Sequence, residues 1–394
     1  MAESFSKVGI GWQVGVPSGW GTYGINLAVE LAKSGIEPAL FLLSAPLKLT
    51  QSQIDLLRPL VAKHKDWYAA AVAGGLKLDF PMLHPMGDGF GFHDILNGAR
   101  GQPNVGIPFF ESAIIPPENI EAAKRFDLII AGSSWNAEIL AKHGVKQPVR
   151  LCLQGVDLTL FSPGPKVGHF GDRFVVFSGG KLEYRKGQDL VVAAFKRFYA
   201  KCPQALLVTA WHSPWPQLAA GLKASPHVVA TAGVRPDGNL DVSSWLLANG
   251  LPDMAFHDIG PIPNAAAPQL LRDVDLAVFP NRCEGGTNLV AMECMACGVP
   301  VALSRNTGHL DMITPDNCYS LDMQIPIGAV TKRPDMEGWG ESTVDELVAT
   351  MERAYRDRAD AKRRGTAAAA FMQNWGWPAQ VERILAAINE FTSV

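Results

Sequence analysis

The sequence has little of what would commit it to a membrane, an oxidising compartment or a nucleic acid. No run approaches the roughly 18 apolar residues of a membrane span. The opening residues, MAESFSKVGIGWQVGV, lack the basic start and apolar stretch of a signal peptide. Six cysteines in 394 residues are too few for a disulfide framework. One pair, Cys294-Met-Ala-Cys297, has redox or zinc spacing. It lies in an apolar segment with no second pair or histidine cluster in metal spacing, so core packing is the favoured reading. The formal net charge of -3 is not the strongly basic balance that nucleic-acid binding leaves. A cytoplasmic protein without a nucleic-acid partner is expected.

What is present is a compact composition, 47% hydrophobic and 19% charged, in a chain too long for one ordinary core and suited to two domains. The first half alternates strand-like and helix-like segments: KVGIGWQVGV, TYGINLAVELAKSG, EPALFLLS. Ile25, Ala28, Val29 and Ala32 recur at helical spacing, and Gly35 is placed to end that helix. Strand, helix and strand in succession imply a parallel sheet. FDLIIAGSSWNAEILAKHGV repeats the pattern, with a Ser-Ser cap and a closing Gly144. The glycine- and proline-rich stretch FSPGPKVGHFGD (Phe161–Asp172) then reads as an interdomain linker. A second alternating series follows in RFVVFSGG, QALLVTAW, DLAVFP and VPVALS. The expected fold class is α/β, with two Rossmann-like doubly wound parallel-sheet domains facing across a cleft, residues 1–165 and 166–374. From Pro59 to Gln102 the periodicity is weak and assigns nothing.

Three turns could carry chemistry. The first, GVPSGWGTYG, joins a strand to a helix, where free N–H groups and the helix dipole favour an anion; Gly19 and Gly21 are candidates for a phosphate or sugar contact. The rival is a dinucleotide fingerprint, which Gly9, Gly11 and Gly15 nearly spell. Those residues fall within the strand, and ALFLLS does not end in the acidic residue that would hold a ribose. A tight turn that simply needs glycine explains this cluster as well. In the second, FSGGKLEYRKGQDLVVAAFKRF, Gly179 and Gly180 end a strand and Lys181 follows at once, while Lys186 and Gly187 open an amphipathic helix. Either lysine alone would read as solvated, but two cations flanking a turn at a helix start suit a diphosphate.

The third is NRCEGGTNLVAMECMACGVP. Gly285, Gly286, Thr287 and Asn288 can present N–H groups at the start of a helix beginning near Leu289, with Glu293 one turn inside it. An ionised carboxylate on an apolar helix costs several kcal/mol unless something hydrogen-bonds it. A ribose diol matches its two oxygens, and Glu284 could hold sugar hydroxyls similarly. The plain alternatives are an internal salt bridge for Glu293 and an exposed loop acid for Glu284. Asp273-Val-Asp275 resembles a metal-holding acidic pair, yet it leads into the strand LAVFP, so a structural turn is favoured and no metal is expected.

Together, four motifs resemble the family-4 retaining glycosyltransferases of GT-B fold (glycosyl transferases group 1). They are Gly19-Trp-Gly-Thr-Tyr23, Gly155-Val-Asp157 with Phe161 and Pro163, Lys181-Leu-Glu-Tyr-Arg-Lys186-Gly187, and Glu284-Gly-Gly through Glu293-Cys-Met-Ala-Cys-Gly-Val-Pro300. They occur in the right order over most of the chain. The resemblance implies that Lys181, where arginine is usual, and Lys186 bind the donor diphosphate and stabilise its departure. It implies that Glu293 holds the nucleotide ribose and that Glu284 faces the donor sugar. Eight residues separate the two glutamates where the family usually has seven, which leaves Glu284 one position out of register when the alignment is anchored on MACGVP. In VGIPFFESAIIPPENI, Glu111 matches a subset carrying glutamate in place of a histidine near the transferred sugar. NWGWPAQVERILAAINEF resembles the terminal helix that crosses back to the first domain, residues 375–394, anchored by its tryptophans.

The expected function is metal-independent transfer, with retention, of a sugar from a nucleotide diphosphate sugar such as a UDP- or GDP-sugar. No cofactor is needed. The acceptor is the hydroxyl of a glycan, a lipid-linked molecule or a small molecule; a lipid acceptor would bring peripheral contact with the inner face of the membrane. Two other readings compete. A non-catalytic nucleotide-sugar-binding module draws support from the glutamate spacing, and an NAD-linked oxidoreductase would use Gly9 to Gly15.

Overall fold

The computed structural model of the chain describes residues 5–15, 18–43, 51–91, 93–328 and 333–393. The chain divides into two compact units: Met1–Asp157 with Gly285–Thr287 and Trp375–Val394, and Leu158–Glu284 with Asn288–Asn374.

The first unit is built on six parallel strands, β1 (Lys7–Val14), β2 (Glu37–Leu43), β3 (Met82–Met86), β4 (Asn104–Pro108), β5 (Leu128–Ala131) and β6 (Val149–Leu151), in the order β2-β1-β3-β4-β5-β6. Two glycines of the rival dinucleotide fingerprint, Gly9 and Gly11, have a packing reason. A Cβ on Gly9 would lie 2.3 Å from Met82 Sδ, and one on Gly11 2.7 Å from the Leu83 carbonyl, so β1 and β3 close together only without them. The first helix starts earlier than its apolar period indicates, at Gly19, because Ser18 caps it by accepting from the Gly21 N–H. The segment of weak periodicity holds most of a helix, Gln51–Ala73, with only Leu57 and Ala71 buried, and then β3. So little apolar surface is covered there that no helical period is visible. The last helix, Trp377–Thr392, belongs to this unit: Trp377 stacks on Tyr23, and the Val156 N–H donates to the Trp375 carbonyl. Gly155 is needed at that junction, since a Cβ would come within 2.6 Å of the Trp377 indole.

The second unit repeats the plan with β7 (Phe174–Gly179), β8 (Ala205–Ala210), β9 (Phe256–Asp258), β10 (Leu276–Phe279), β11 (Val301–Ser304) and β12 (Tyr319–Leu321), ordered β12-β11-β10-β7-β8-β9 and parallel throughout. Phe174, Val176, Phe195, Leu207, Trp245 and Leu276 lie in its core. Sequence reading finds β7, β8, β10 and β11; β9 and β12 are too short, at three residues each, to show a period. An antiparallel hairpin, β13 (Gln324–Pro326) with β14 (Gly340–Ser342), stands apart from the sheet. The Phe161–Asp172 stretch has no regular element, and Asp273 holds its later part: its carboxylate accepts from the N–H groups of Val167, Gly168 and His169. Asp275 pairs with Lys166 and caps the Val175 N–H. The Asp-Val-Asp pair is thus occupied in joining this stretch to the sheet. All six cysteines are free, and burial pushes the Cys297 thiol up to about 12, as expected of core-packed cysteines.

Candidate functional site

Strand order in the second sheet reverses between β7 and β10, which are adjacent although the chain visits β8 and β9 between them. In open α/β sheets, ligands bind beyond the carboxyl ends of the strands that flank such a reversal. The two loops leaving those ends are Gly180–Gly187 and Pro280–Asn288, where the sequence puts most of its candidates.

Gly180 turns the chain off β7 with φ 113. Lys181 follows, half-exposed, its Nζ 3.8 Å from the Glu183 carboxylate and 5.5 Å from the centre of the Trp215 ring. A short turn, Tyr184–Lys186, leads into the helix Gln188–Lys201 through Gly187, whose φ of 70 and 2.2 Å virtual Cβ contact with the Pro280 carbonyl admit no side chain. Lys186 points inward, and its ammonium lies 2.5 Å from a Glu284 carboxylate oxygen. The other Glu284 oxygen accepts from Arg185 Nη1 at 3.0 Å, and Arg185 Nη2 donates to Glu183 at 2.6 Å. Asn281 also donates to Glu284. The cations and carboxylates therefore alternate in one buried chain.

Burial alone would raise the Glu284 carboxyl, but Lys186 and Arg185 outweigh it and hold the group at about 2. Burial also pushes Lys186 below the usual lysine range, with Glu284 opposing. Glu284 is 5% exposed, far from a solvated loop acid. Its backbone N–H donates to Thr307 Oγ1 and its carbonyl accepts from Gly308. Glu293, by contrast, is only half-buried on the helix Leu289–Ala296. The turn between the glutamates ends with Asn288 in the left-handed region, at φ 69, capping the helix through the Ala291 N–H. His309 supports that strained residue. The Ser304 hydroxyl donates to the Asn281 carbonyl, so His309 Nδ1 must donate to Ser304, which leaves Nε2 to accept from Asn288. Burial pushes His309 down to about 4, consistent with this neutral form.

The structure thus brings Lys181, Lys186 and Glu284 together, with Gly180 and Asn288 in the same two loops and Leu289 and Glu293 on the helix that follows. Gly285, Gly286 and Thr287 group with the first unit, where the Thr287 N–H donates to Gln154 Oε1 at 3.3 Å. Gly19 and Gly21 lie in the first helical turn of that unit, and the Gly21 N–H is already taken by Ser18. Glu111 lies in the loop after β4, half-buried, its N–H donating to Asp88 Oδ1. Sequence reasoning missed Arg185, because an arginine in LEYRKG looks solvated; its partners come from a loop about one hundred residues away.

Residues 165–369, just over half of the chain, match the profile of the glycosyl transferases group 1. The chain belongs to this family. Its relatives include the D-inositol 3-phosphate glycosyltransferase of Geodermatophilus obscurus, 25% identical over 276 residues, 63% of this chain and 57% of that protein. Another is the GDP-mannose-dependent alpha-(1-6)-phosphatidylinositol monomannoside mannosyltransferase of Mycolicibacterium smegmatis, 26% identical over 211 residues, 51% and 47% of the two chains. The chain spans about half the length of the curated relatives it matches. Sucrose-phosphate synthase from Thermosynechococcus elongatus shares its fold (TM-score 0.65, 17% identity, 98% and 99% of the two chains). So does HepE of Anabaena, solved with UDP and glucose (TM-score 0.61, 16% identity, 99% and 100%). The α/β class with two Rossmann-like parallel sheets, as in GT-B proteins, is the fold found. Among the described residues no helix is long and apolar enough to cross a membrane.

Proposed function

We propose that this group 1 glycosyl transferase moves a sugar from a nucleotide diphosphate sugar to an acceptor hydroxyl, with retention at the anomeric carbon and without a metal. The observation that carries the reading is the placement of Lys181, Lys186 and Glu284 in the two loops that flank the reversal of strand order. Lys181 and Lys186 bind the diphosphate and stabilise the charge that develops as it leaves; such preorganised cations are the largest single contribution in many enzymes. Glu284, kept ionised, faces the donor sugar, and Glu293 holds the ribose. Gly180, Asn288 and Leu289, in and just after the same two loops, complete the donor contacts in this reading. One relative is named for GDP-mannose and one structural neighbour was solved with UDP, so both bases are tested, and the inositol-based acceptors in the relatives' names make a polyol hydroxyl the first acceptor class to try.

The test is calorimetric titration of UDP, GDP, ADP and NAD in EDTA into wild type and Glu293→Ala. Selective binding of one nucleoside diphosphate, weakened about tenfold or more in the variant by loss of charge-assisted bonds, is expected. Binding of NAD alone would return the chain to the oxidoreductase reading. Retention of the nucleotide sugar without transfer to any acceptor would leave a binding module.

A further inference from the structure

Arg282 has no part in the donor contacts just described, yet it joins the Tyr184–Lys186 turn to the helix Gln188–Lys201 and to β14. It is 0% exposed. Its two Nη atoms grip Asp189, in the first turn of the Gln188–Lys201 helix, at 2.8 and 2.6 Å. Nε and Nη2 reach Glu341 of β14 at 2.7 and 2.6 Å. Nη1 also donates to the Tyr184 carbonyl, and the guanidinium lies 3.8 Å from the centre of the Tyr184 ring. The backbone continues the pattern: the Arg282 N–H donates to the Arg185 carbonyl, and the Arg282 carbonyl accepts from Gly340. Ile327, Met336 and Trp339, from the segment joining β13 and β14, pack on Tyr184 as well.

We propose that Arg282 is a positioning residue for the diphosphate site, fixing the Tyr184–Lys186 turn so that Lys186 is presented at the right place, and coupling that turn to the β13–β14 hairpin. The inference rests on the donor reading above. The physical reason is the shape of the guanidinium. A planar fork can satisfy two carboxylates and a carbonyl while stacking on a ring, and a lysine ammonium, a single point of charge on a flexible stem, cannot. Replacement by lysine keeps the charge that Asp189 and Glu341 require and removes the constraint on the turn.

The experiment compares a nucleoside diphosphate with the monophosphate of the same base, titrated calorimetrically into wild type, Arg282→Lys and Glu341→Gln. The ratio of the two dissociation constants isolates contact with the second phosphate, and a general loss of stability does not change it. Wild type is expected to prefer the diphosphate by about tenfold or more, the value of one charge-assisted contact. In Arg282→Lys the preference is expected to fall below about threefold while monophosphate affinity stays near the wild-type value. An unchanged ratio in folded Arg282→Lys, with only a lower Tm, overturns the proposal; if that variant does not fold, Glu341→Gln decides by the same criterion. No diphosphate preference in wild type would instead overturn the donor reading and this proposal with it.

Discussion

Lys186 carries its charge into a region where burial opposes it, and Glu284 is what keeps it there. Removing the ammonium has two consequences that can be measured apart. Transfer is expected to fall by about a hundredfold or more, the usual effect of deleting a group that stabilises developing charge, as read from initial rates at saturating donor. Stability is expected to fall as well, since Glu284 would keep only Arg185 and Asn281 as partners, and breaking a buried pair costs about 3 kcal/mol or more; thermal unfolding of Lys186→Ala reads this. A folded Lys186→Ala chain with wild-type turnover would remove Lys186 from the chemistry.

At the scale of elements, the turn between β7 and the helix Gln188–Lys201 depends on Gly187. Its left-handed backbone is unfavourable for alanine and most other residues, and a Cβ would also strike the Pro280 carbonyl at the base of the opposite loop. Gly187→Ala is expected to destabilise the chain by about 2 kcal/mol or more and to weaken nucleoside diphosphate binding further than its effect on Tm explains, because the two loops must move apart. Denaturant unfolding together with calorimetry checks both parts. Gly19, which has no atom within 4 Å of a virtual Cβ and no positive φ, provides the control: Gly19→Ala should leave stability nearly unchanged.

At the scale of the molecule, buried titratable groups set the dependence on pH. Burial pushes His84 and His309 down to about 4, so the unfolded chain takes up protons first as the pH falls below about 6.5. Their contribution to stability is therefore complete above that pH and is lost progressively towards 4. Glu284, held at about 2, adds a second loss between the ordinary glutamate range near 4.5 and 2. Thermal unfolding between pH 7 and 4 is expected to show a steadily falling Tm, with a shallower slope in His309→Asn. Equal slopes for the two proteins would mean that His309 does not contribute.

The sequence by itself determined the alternation of strands and helices, the parallel sheets, the turns at Gly180 and Gly187, and the two segments that carry charge, Lys181–Lys186 and Glu284–Glu293. Those follow from local periods and from residues such as glycine whose backbone freedom is a property of the residue alone. Only the tertiary structure decided which charges are buried. By the sequence, Glu293 on its apolar helix is the costly carboxylate and Glu284 a candidate loop acid; in the structure Glu284 is the deeply buried one and Glu293 is half-buried. The sequence singles out neither Arg185 nor Arg282, yet both are buried, each against partners distant in sequence. The burial of a charge is settled by what packs over it and what pairs with it, and here those groups come together only when β10 is laid beside β7.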